Sequence, residues 1–183
     1  MKKIGLGAGI FVIEDFLTSE ECESYINVSE SHAWEDAAIQ TPEGHRIFVE
    51  VRNNSRIIFD DESLAREIYE KARPHLPDVF GDEWLLVGLN ERFRYYKYSA
   101  GEYFKWHKDG FYIRSDDEMS QLTLLIYLND DYEGGETEFR WDVIKPKKGM
   151  ALVFPHLFMH QGKDVISGVK YVLRTDVMYT RVE

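Results

Sequence analysis

A series of short β-type segments fills the chain from residue 84 onward and limits the folds that it can adopt. Segments rich in β-branched and aromatic residues predict strands at Phe93–Tyr98, Leu122–Asn129, Glu136–Arg140, Met150–Phe154 and Lys170–Thr180. Glycine- and aspartate-containing turn signals separate these segments. Many short strands joined by tight turns predict a β sandwich or barrel in this half of the chain.

The first half of the sequence instead predicts helices. Thr18 followed by Glu21 has the capping-box pattern, which predicts a helix that runs to about His32. Apolar residues at helical spacing predict a second helix over Glu62–His75. Helices first and strands afterwards indicate an α+β fold, with the β part backed by the helices.

Length and charge narrow the class of protein. A chain of 183 residues suits one domain, in which residues 1–85 supply helical support and residues 86–183 form the β core. With 22 Lys and Arg against 33 Asp and Glu, the net charge is −11, which argues against nucleic-acid and anionic-membrane partners.

The cysteine content and the N-terminal segment bear on the cellular compartment of the protein. Cys22 is the single cysteine, so no internal disulfide indicates an oxidising compartment. The apolar stretch near the start runs into Glu14 and Asp15 without a small-residue cleavage site. We therefore predict a cytoplasmic location.

Three residues of the β half suggest a metal site. His107 and Asp109 are two positions apart, a spacing that places both on one face of a strand, and His160 follows downstream. Two histidines and one carboxylate on one face of a metal, with three positions open, are typical of non-haem Fe(II) oxygenases. His156 competes for the distal position, although its place beside Pro155 at a strand end favours a loop residue.

Further motifs surround these residues in a fixed order. They are Tyr95–Asp109, Leu125–Asn129, Glu133–Phe139, Lys145–Gly149 and His160 with Lys170 ten residues later. This ordered set resembles the 2-oxoglutarate- and Fe(II)-dependent dioxygenases of the prolyl 4-hydroxylase type. The resemblance covers residues 90–180 and extends weakly to the helix start at residues 16–22. It implies a double-stranded β-helix (jelly-roll) core with N-terminal supporting helices.

The resemblance also implies a reaction and a set of ligands. It implies hydroxylation of an unactivated C–H bond with release of succinate and CO2, using Fe(II), 2-oxoglutarate and O2, with ascorbate as a candidate reductant. The implied metal ligands, which are also the catalytic residues, are His107, Asp109 and His160. The ten-residue spacing to Lys170 favours His160 over His156 as the distal ligand.

Co-substrate contacts follow from the same comparison. Lys170 matches the basic residue that binds the remote carboxylate of 2-oxoglutarate, and Tyr98 and Tyr127 match positions that help to hold it. Burial of charge supports the same assignment. A dicarboxylate that enters an apolar barrel loses its hydration, so it needs a cation at its far end.

The last predicted strand departs from the family pattern. Lys170, Val172, Arg174 and Asp176 share one face by the two-residue period, and Asp176 stands where many prolyl hydroxylases carry tryptophan. One hypothesis is that Arg174 and Asp176 face a substrate with its own charges. The alternative is that they pair with each other, or that Arg174 links to the co-substrate.

Two segments are candidate lids or substrate loops. Arg52, Asn53 and Arg56 lie in a polar segment before a strand-like stretch and are candidates for substrate contact, although a surface loop would have the same composition. The loop predicted at Gly110–Met119 is a second candidate lid.

The substrate itself stays open between a peptidyl residue and a small molecule. Rival readings are a hydroxylase of a free amino acid or another charged small molecule, a cupin-like metal dioxygenase that does not use 2-oxoglutarate, and a sugar- or peptide-binding β sandwich. Sequence does not indicate the oligomeric state.

Overall fold

The computed structural model describes residues 1–37, 39–41, 44–46, 48 and 50–182, and for residues 39–41 and 44–46 it describes the backbone alone. Helix α1 spans Ser19–Glu30 and helix α2 spans Glu62–Ala72. The strands are β1 (Lys2–Gly7), β2 (Ile10–Glu14), β3 (Glu35–Asp36), β4 (Ile39–Thr41), β5 (Gly44–Arg46), β6 (Ser55–Asp60), β7 (Val79–Phe80), β8 (Trp84–Leu89), β9 (Arg92–Ser99), β10 (Phe104–His107), β11 (Ile113–Ser115), β12 (Glu118–Tyr127), β13 (Glu133–Gly134), β14 (Thr137–Phe139), β15 (Val143–Ile144), β16 (Ala151–Pro155), β17 (His160–Gly162), β18 (Val165–Ser167) and β19 (Val169–Arg181). Among these residues, no helix has the length and apolar character needed to cross a bilayer.

Both helices begin at side-chain caps. The Thr18 hydroxyl accepts a hydrogen bond from the Glu21 N–H (3.2 Å), and the Glu21 carboxylate accepts one from the Thr18 N–H (2.9 Å). Asp61 caps α2 by accepting from the Leu64 N–H (2.9 Å). These contacts satisfy backbone donors that have no partner within the helix. The capping box predicted at the start of α1 is therefore formed, and both helices end slightly before their predicted boundaries.

Two antiparallel sheets face each other in the strand-rich half. The large sheet has the order β1-β2-β16-β12-β19-β9-β6-β3, and the smaller one has the order β10-β17-β14-β15. Phe139 of β14 is buried together with Tyr127 of β12 and Leu152 of β16, so the small sheet packs on one face of the large sheet. This is the sandwich or barrel arrangement that the strand pattern predicts.

The other face of the large sheet packs against the helices. Ile68 of α2 is fully buried in a cluster that contains Phe93 and Tyr95 of β9. Tyr96 and Tyr98 of the same strand belong instead to the cluster between the two sheets. Because side chains alternate between the faces of a strand, β9 contributes to both layers, with Tyr96 and Tyr98 facing the space between the two sheets.

Gly149 provides a test of the packing between the β core and the start of α1. The Leu17 N–H donates to the Gly149 carbonyl (3.0 Å), Gly149 has φ +76°, and a Cβ atom at this position would lie 2.3 Å from the Leu17 carbonyl oxygen. We expect Gly149→Ala to lower the free energy of unfolding by about 2–3 kcal/mol. Urea denaturation measures this loss. Gly5→Ala, where an added Cβ meets nothing within 4 Å, is the control and should change stability little. Equal stability of the two variants would contradict the prediction.

Candidate metal centre

The pairing of two short strands brings the predicted histidines together. β10 and β17 are antiparallel, and their register places His107 opposite His160. Asp109 follows β10 rather than lying on it, so the strand period invoked from the sequence does not position it. Instead, the Asp109 N–H donates to the His156 carbonyl (3.0 Å), which folds the carboxylate back toward the histidines. One ligand atom from each of His107, Asp109 and His160 lies within 4.8 Å of the others.

Hydrogen bonds orient both imidazole rings. Nδ1 of His107 lies 2.7 Å from the Lys105 carbonyl, and Nδ1 of His160 lies 2.9 Å from the Phe158 carbonyl. A carbonyl can only accept, so each Nδ1 carries the hydrogen and each Nε2 keeps a free lone pair. The two Nε2 atoms each lie 3.8 Å from a different oxygen of Asp109. The lone pairs that a metal needs therefore face the carboxylate.

The protonation states also suit a metal ion. Burial, together with the neighbouring His160, lowers the pKa of His107 to about 3, and burial lowers the pKa of His160. Burial alone would raise the pKa of Asp109, but the Arg174 guanidinium holds it below its usual range. Two neutral imidazoles and an ionised carboxylate therefore converge at neutral pH, and this donor set fits Fe(II).

A buried chain of hydrogen bonds supports Asp109 and was not anticipated from the sequence. The Thr123 hydroxyl donates to Asp109 Oδ2 (2.6 Å) and lies 2.8 Å from Nδ1 of His156. Nε2 of His156 lies 2.8 Å from the Ser120 hydroxyl, which accepts from the Tyr112 N–H. His156 lies in the turn between β16 and β17, as its place beside Pro155 predicted, but it is fully buried. In the sequence, the one indication that His156 belongs to the site was its position four residues before His160.

A pocket extends inward from the cluster and ends at Lys170. Its wall includes Tyr98 and Tyr127, whose ring centres lie 5.3 and 5.4 Å from Lys170 Nζ. Lys170 is 4% exposed and its Nζ donates to the Gly135 carbonyl (2.6 Å). Burial lowers the pKa of Lys170 to about 7 and raises the pKa of Tyr98 to about 12, so Tyr98 stays a neutral donor.

Arg174 and Asp176 contact each other at the outer end of the same strand face. Arg174 Nη2 lies 3.1 Å from Asp176 Oδ1, and Arg174 Nη1 lies 3.1 Å from Asp109 Oδ1. Asp176 is 1% exposed and also pairs with Arg94 (3.3 Å). The structure thus has the internal pair that the sequence left as an alternative. Arg174 lines the pocket, whereas the carboxylate of Asp176 is occupied by arginines.

The residues of the predicted substrate loop separate into different environments. The backbone of Arg52 forms an isolated antiparallel β-bridge with Phe104. The Arg52 guanidinium lies over the rings of Tyr96 and Phe104, which line the pocket. Asn53 instead binds backbone, because its amide donates to the Gly101 carbonyl (3.3 Å) and its carbonyl accepts from the Tyr103 N–H (2.8 Å).

The remaining candidate contacts lie around an open groove beside the pocket. Arg56 and Asp176 line this groove. The segment predicted as a loop at Gly110–Met119 contains β11, which pairs with the start of β12, so much of it is a hairpin. This pairing corrects the expectation of an irregular loop.

Comparison with known proteins shows which family this chain resembles. The model of the 2OG-Fe(II) oxygenase superfamily matches residues 93–175, a range that holds His107, Asp109, His160 and Lys170. The matched range lies within the strand-rich half of the chain, which is therefore similar to that superfamily. The similarity is to members of the prolyl 4-hydroxylase type. "Probable prolyl 4-hydroxylase 7" of Arabidopsis thaliana is 25% identical over 198 residues, which cover 88% of this chain and 60% of the relative. The chain therefore spans less than two thirds of the length of that plant protein.

Solved structures show that this chain has the double-stranded β-helix fold. A viral collagen prolyl hydroxylase from Paramecium bursaria Chlorella virus-1, determined with 2OG, has a TM-score of 0.64 and 22% identity, covering 96% of this chain and 99% of the other. A prolyl hydroxylase from Trichoplax adhaerens, in complex with a peptide fragment of hypoxia inducible factor, has a TM-score of 0.67 and 17% identity, covering 92% and 83%.

Proposed function

We propose that the protein is an Fe(II)- and 2-oxoglutarate-dependent dioxygenase that hydroxylates an unactivated C–H bond, as prolyl 4-hydroxylases do. The observation that carries the proposal is the cluster of His107, Asp109 and His160 at the mouth of a pocket that ends at a buried lysine. Neither a sugar-binding sandwich nor a metal enzyme without a dicarboxylate co-substrate needs a buried cation at that position.

In this proposal the three clustered side chains hold Fe(II) through Nε2 of His107, Nε2 of His160 and the Asp109 carboxylate. Thr123 keeps Asp109 oriented by its hydrogen bond. When bound, Fe(II), 2-oxoglutarate and O2 supply the oxidising chemistry, and succinate and CO2 leave. The role of the chain is to orient these ligands and to exclude water, to which Phe139 and Phe154 contribute by packing around His160.

The inner pocket would hold 2-oxoglutarate. Lys170 offers a charged donor to the remote carboxylate, and its ion pairing is favoured because the surrounding walls are apolar or neutral. The hydroxyl of Tyr127 is bonded to Thr137 (2.7 Å), which orients it beside the same site. Tyr98 is the cross-strand neighbour of Lys170. Arg174 contributes positive charge nearer the metal ligands.

The division of the chain follows from this arrangement. Residues 86–183 would form the metal-binding β core, and residues 1–85 would contribute support and substrate contacts. Support is consistent with the burial of Ile68 and Ala72 of α2 against the outer face of the large sheet. Substrate contact is consistent with Arg52 and Arg56, which reach the pocket mouth and the groove.

Dependence of turnover on iron tests the proposed function. We expect metal-free protein to form succinate from 2-oxoglutarate slowly when Fe(II) and ascorbate are added, and to lose this activity to background when a chelator is present. His107→Ala removes one ligand and should abolish iron binding, whereas His75→Ala, at a position remote from the cluster, should retain it. A wild-type protein that binds no Fe(II) and forms no succinate would refute the proposal.

A further inference from the structure

A groove of about 500 Å³ adjoins the candidate metal centre, between β6, β9 and the segment at residues 110–112. Tyr96 and Arg174 line both this groove and the pocket of the metal centre, so the two spaces are adjacent. The charged residues that line the groove are Arg52, Arg56, Arg92, Arg94, Arg174 and Asp176. In a protein of net charge −11, this set creates a local positive field next to the reaction site.

Strand register brings several of these arginines together. Arg94 of β9 is the cross-strand neighbour of Arg174 of β19, an arrangement of like charges that is unfavourable without an anion between them. Asp176 supplies that anion, at 3.3 Å from Arg94 and 3.1 Å from Arg174. Arg92 is paired with Asp60 (2.9 Å). These three guanidinium groups therefore already have carboxylate partners within the protein.

Arg52 differs because it is buried and has no carboxylate partner within the part of the chain that the structure describes. It is 5% exposed, and its Nε donates to the Asn54 side-chain oxygen (2.7 Å). The guanidinium carbon lies 4.5 Å from the ring centre of Tyr96 and 4.3 Å from that of Phe104. Its Nη2 is buried and has no hydrogen-bond partner among the residues that the structure describes. A buried charged donor of this kind costs free energy until an acceptor binds.

Arg56 adds a second charge close to Arg52. Burial lowers the pKa of Arg56, and the repulsion from Arg52 lowers it further, while the carboxylate of Glu35 acts in the opposite direction. Two guanidinium groups that repel each other in a groove are stabilised when an anion binds between them. Arg52 and Arg56 thus present a binding position for negative charge at the entrance to the metal pocket.

We infer that this groove binds a carboxylate of the substrate, with Arg52 Nη2 donating to it and Arg56 adding charge. The inference rests on the proposed function and names its substrate class. A guanidinium group matches a carboxylate in geometry as well as in charge. Because Nε of Arg52 already donates to Asn54, Nη2 is left to donate to one oxygen of the carboxylate. A neutral prolyl peptide would leave that donor unpaired, which lowers affinity.

Two sources share this chemistry, an acidic residue in a peptide and a free carboxylic acid, and binding measurements separate them. Calorimetric titration uses protein loaded anaerobically with Fe(II) and saturating 2-oxoglutarate, so that no probe enters the co-substrate site. The peptide probes are blocked Gly-Glu-Pro-Glu-Gly and its amide analogue Gly-Gln-Pro-Gln-Gly. The small-molecule probes are N-acetylglutamate and N-acetylglutamine.

We expect the acidic member of at least one pair to bind at least about tenfold more tightly than its amide, as charge-assisted hydrogen bonds predict. Added salt should reduce this preference. Arg52→Gln should reduce it to below about threefold, and Arg56→Gln, at a less buried position, provides a second variant that is less disruptive to folding. Arg73→Gln makes the same charge change outside the groove and should leave the preference intact.

Each outcome of this experiment decides the inference. A preference in the peptide pair identifies an acidic peptide as the source, and a preference in the small-molecule pair identifies a free acid. Equal affinity within both pairs, binding of no probe, or a preference that persists in both groove variants would overturn the inference. Because titration requires no turnover, it is independent of the iron-dependent formation of succinate, whose absence would refute the proposed function instead.

Discussion

Asp109→Ala is expected to reduce Fe(II) affinity and 2-oxoglutarate turnover by more than about a hundredfold, beyond the range observed for outer partners of metal ligands. The carboxylate is the one anionic donor of the cluster, and it lies within 3.8 Å of Nε2 of both His107 and His160. Its loss leaves two neutral ligands and no charge to compensate a divalent ion. Equilibrium dialysis of Fe(II) and succinate formation measure the two effects.

Folding must be separated from metal binding in this experiment. Removing Asp109 deprives the buried Arg174 of one of its carboxylate partners, although Asp176 remains. Asp109→Asn keeps the size of the side chain and serves as the milder variant, with thermal unfolding measured for both. Asp78→Ala removes an exposed carboxylate and should behave as wild type. Retention of wild-type iron affinity in folded Asp109→Asn would show that Asp109 is not a ligand.

The hydrogen-bond chain behind Asp109 predicts that Thr123→Val weakens metal affinity or activity less than Asp109→Ala does. Thr123→Val removes the hydroxyl that donates to Asp109 and leaves both the carboxylate and the shape of the site. Outer partners of this kind contribute about 10- to 100-fold to metal affinity or activity. The position of Thr123 between Asp109 and His156 therefore predicts a loss smaller than that of Asp109→Ala.

Local sequence patterns predicted the helices and strands better than they predicted the residues that hold the metal ligands in position. The capping box at Thr18 and Glu21 and the strand predicted at Phe93–Tyr98 each depend on residues close in sequence. Such patterns reflect backbone hydrogen bonding and the two-residue strand period, which act locally. Prediction of these elements therefore needed no knowledge of how distant strands pair.

Contacts between distant strands could not be derived in the same way. His156 meets Thr123 because β12 and β16 pair antiparallel, and the bridge from Arg52 to Phe104 joins segments separated by about fifty residues. A shift of one residue in either register would reverse which side chains face inward. For this reason the burial of His156 and the open donor of Arg52 became visible only in three dimensions.

For Arg174 and Asp176, the sequence left two alternatives open, contact with a charged substrate or an internal pair. A cation and an anion on one strand face suggested a charged substrate, but the structure pairs them with each other and with Asp109 and Arg94. A buried Nη2 donor without a hydrogen-bond partner among the described residues lies instead on Arg52, which comes from the first half of the chain. The argument for an anionic substrate therefore moves from the last strand to the groove.

Lys170→Met is expected to raise the KM for 2-oxoglutarate by about 10- to 100-fold while leaving Fe(II) affinity unchanged, because one charge-assisted hydrogen bond is lost. Lys170 lies at the inner end of the pocket and has a backbone carbonyl as its hydrogen-bond partner. Replacing a buried amine with a thioether chain removes a desolvated charge, so the fold should not suffer. Lys163→Met, at a half-exposed position, is the matched control.

The pH dependence of 2-oxoglutarate binding gives the sharper test of Lys170. Burial lowers its pKa to about 7, so the free protein loses the positive charge as pH rises through that value. A bound carboxylate favours the protonated amine, so the dissociation constant should rise by up to about tenfold per pH unit above 7 until the pKa of the complex is reached. His107, with a pKa near 3, does not titrate in this range. Lys170→Arg keeps its charge and should give a flat profile, and an equally flat wild-type profile would exclude Lys170 as the carboxylate anchor.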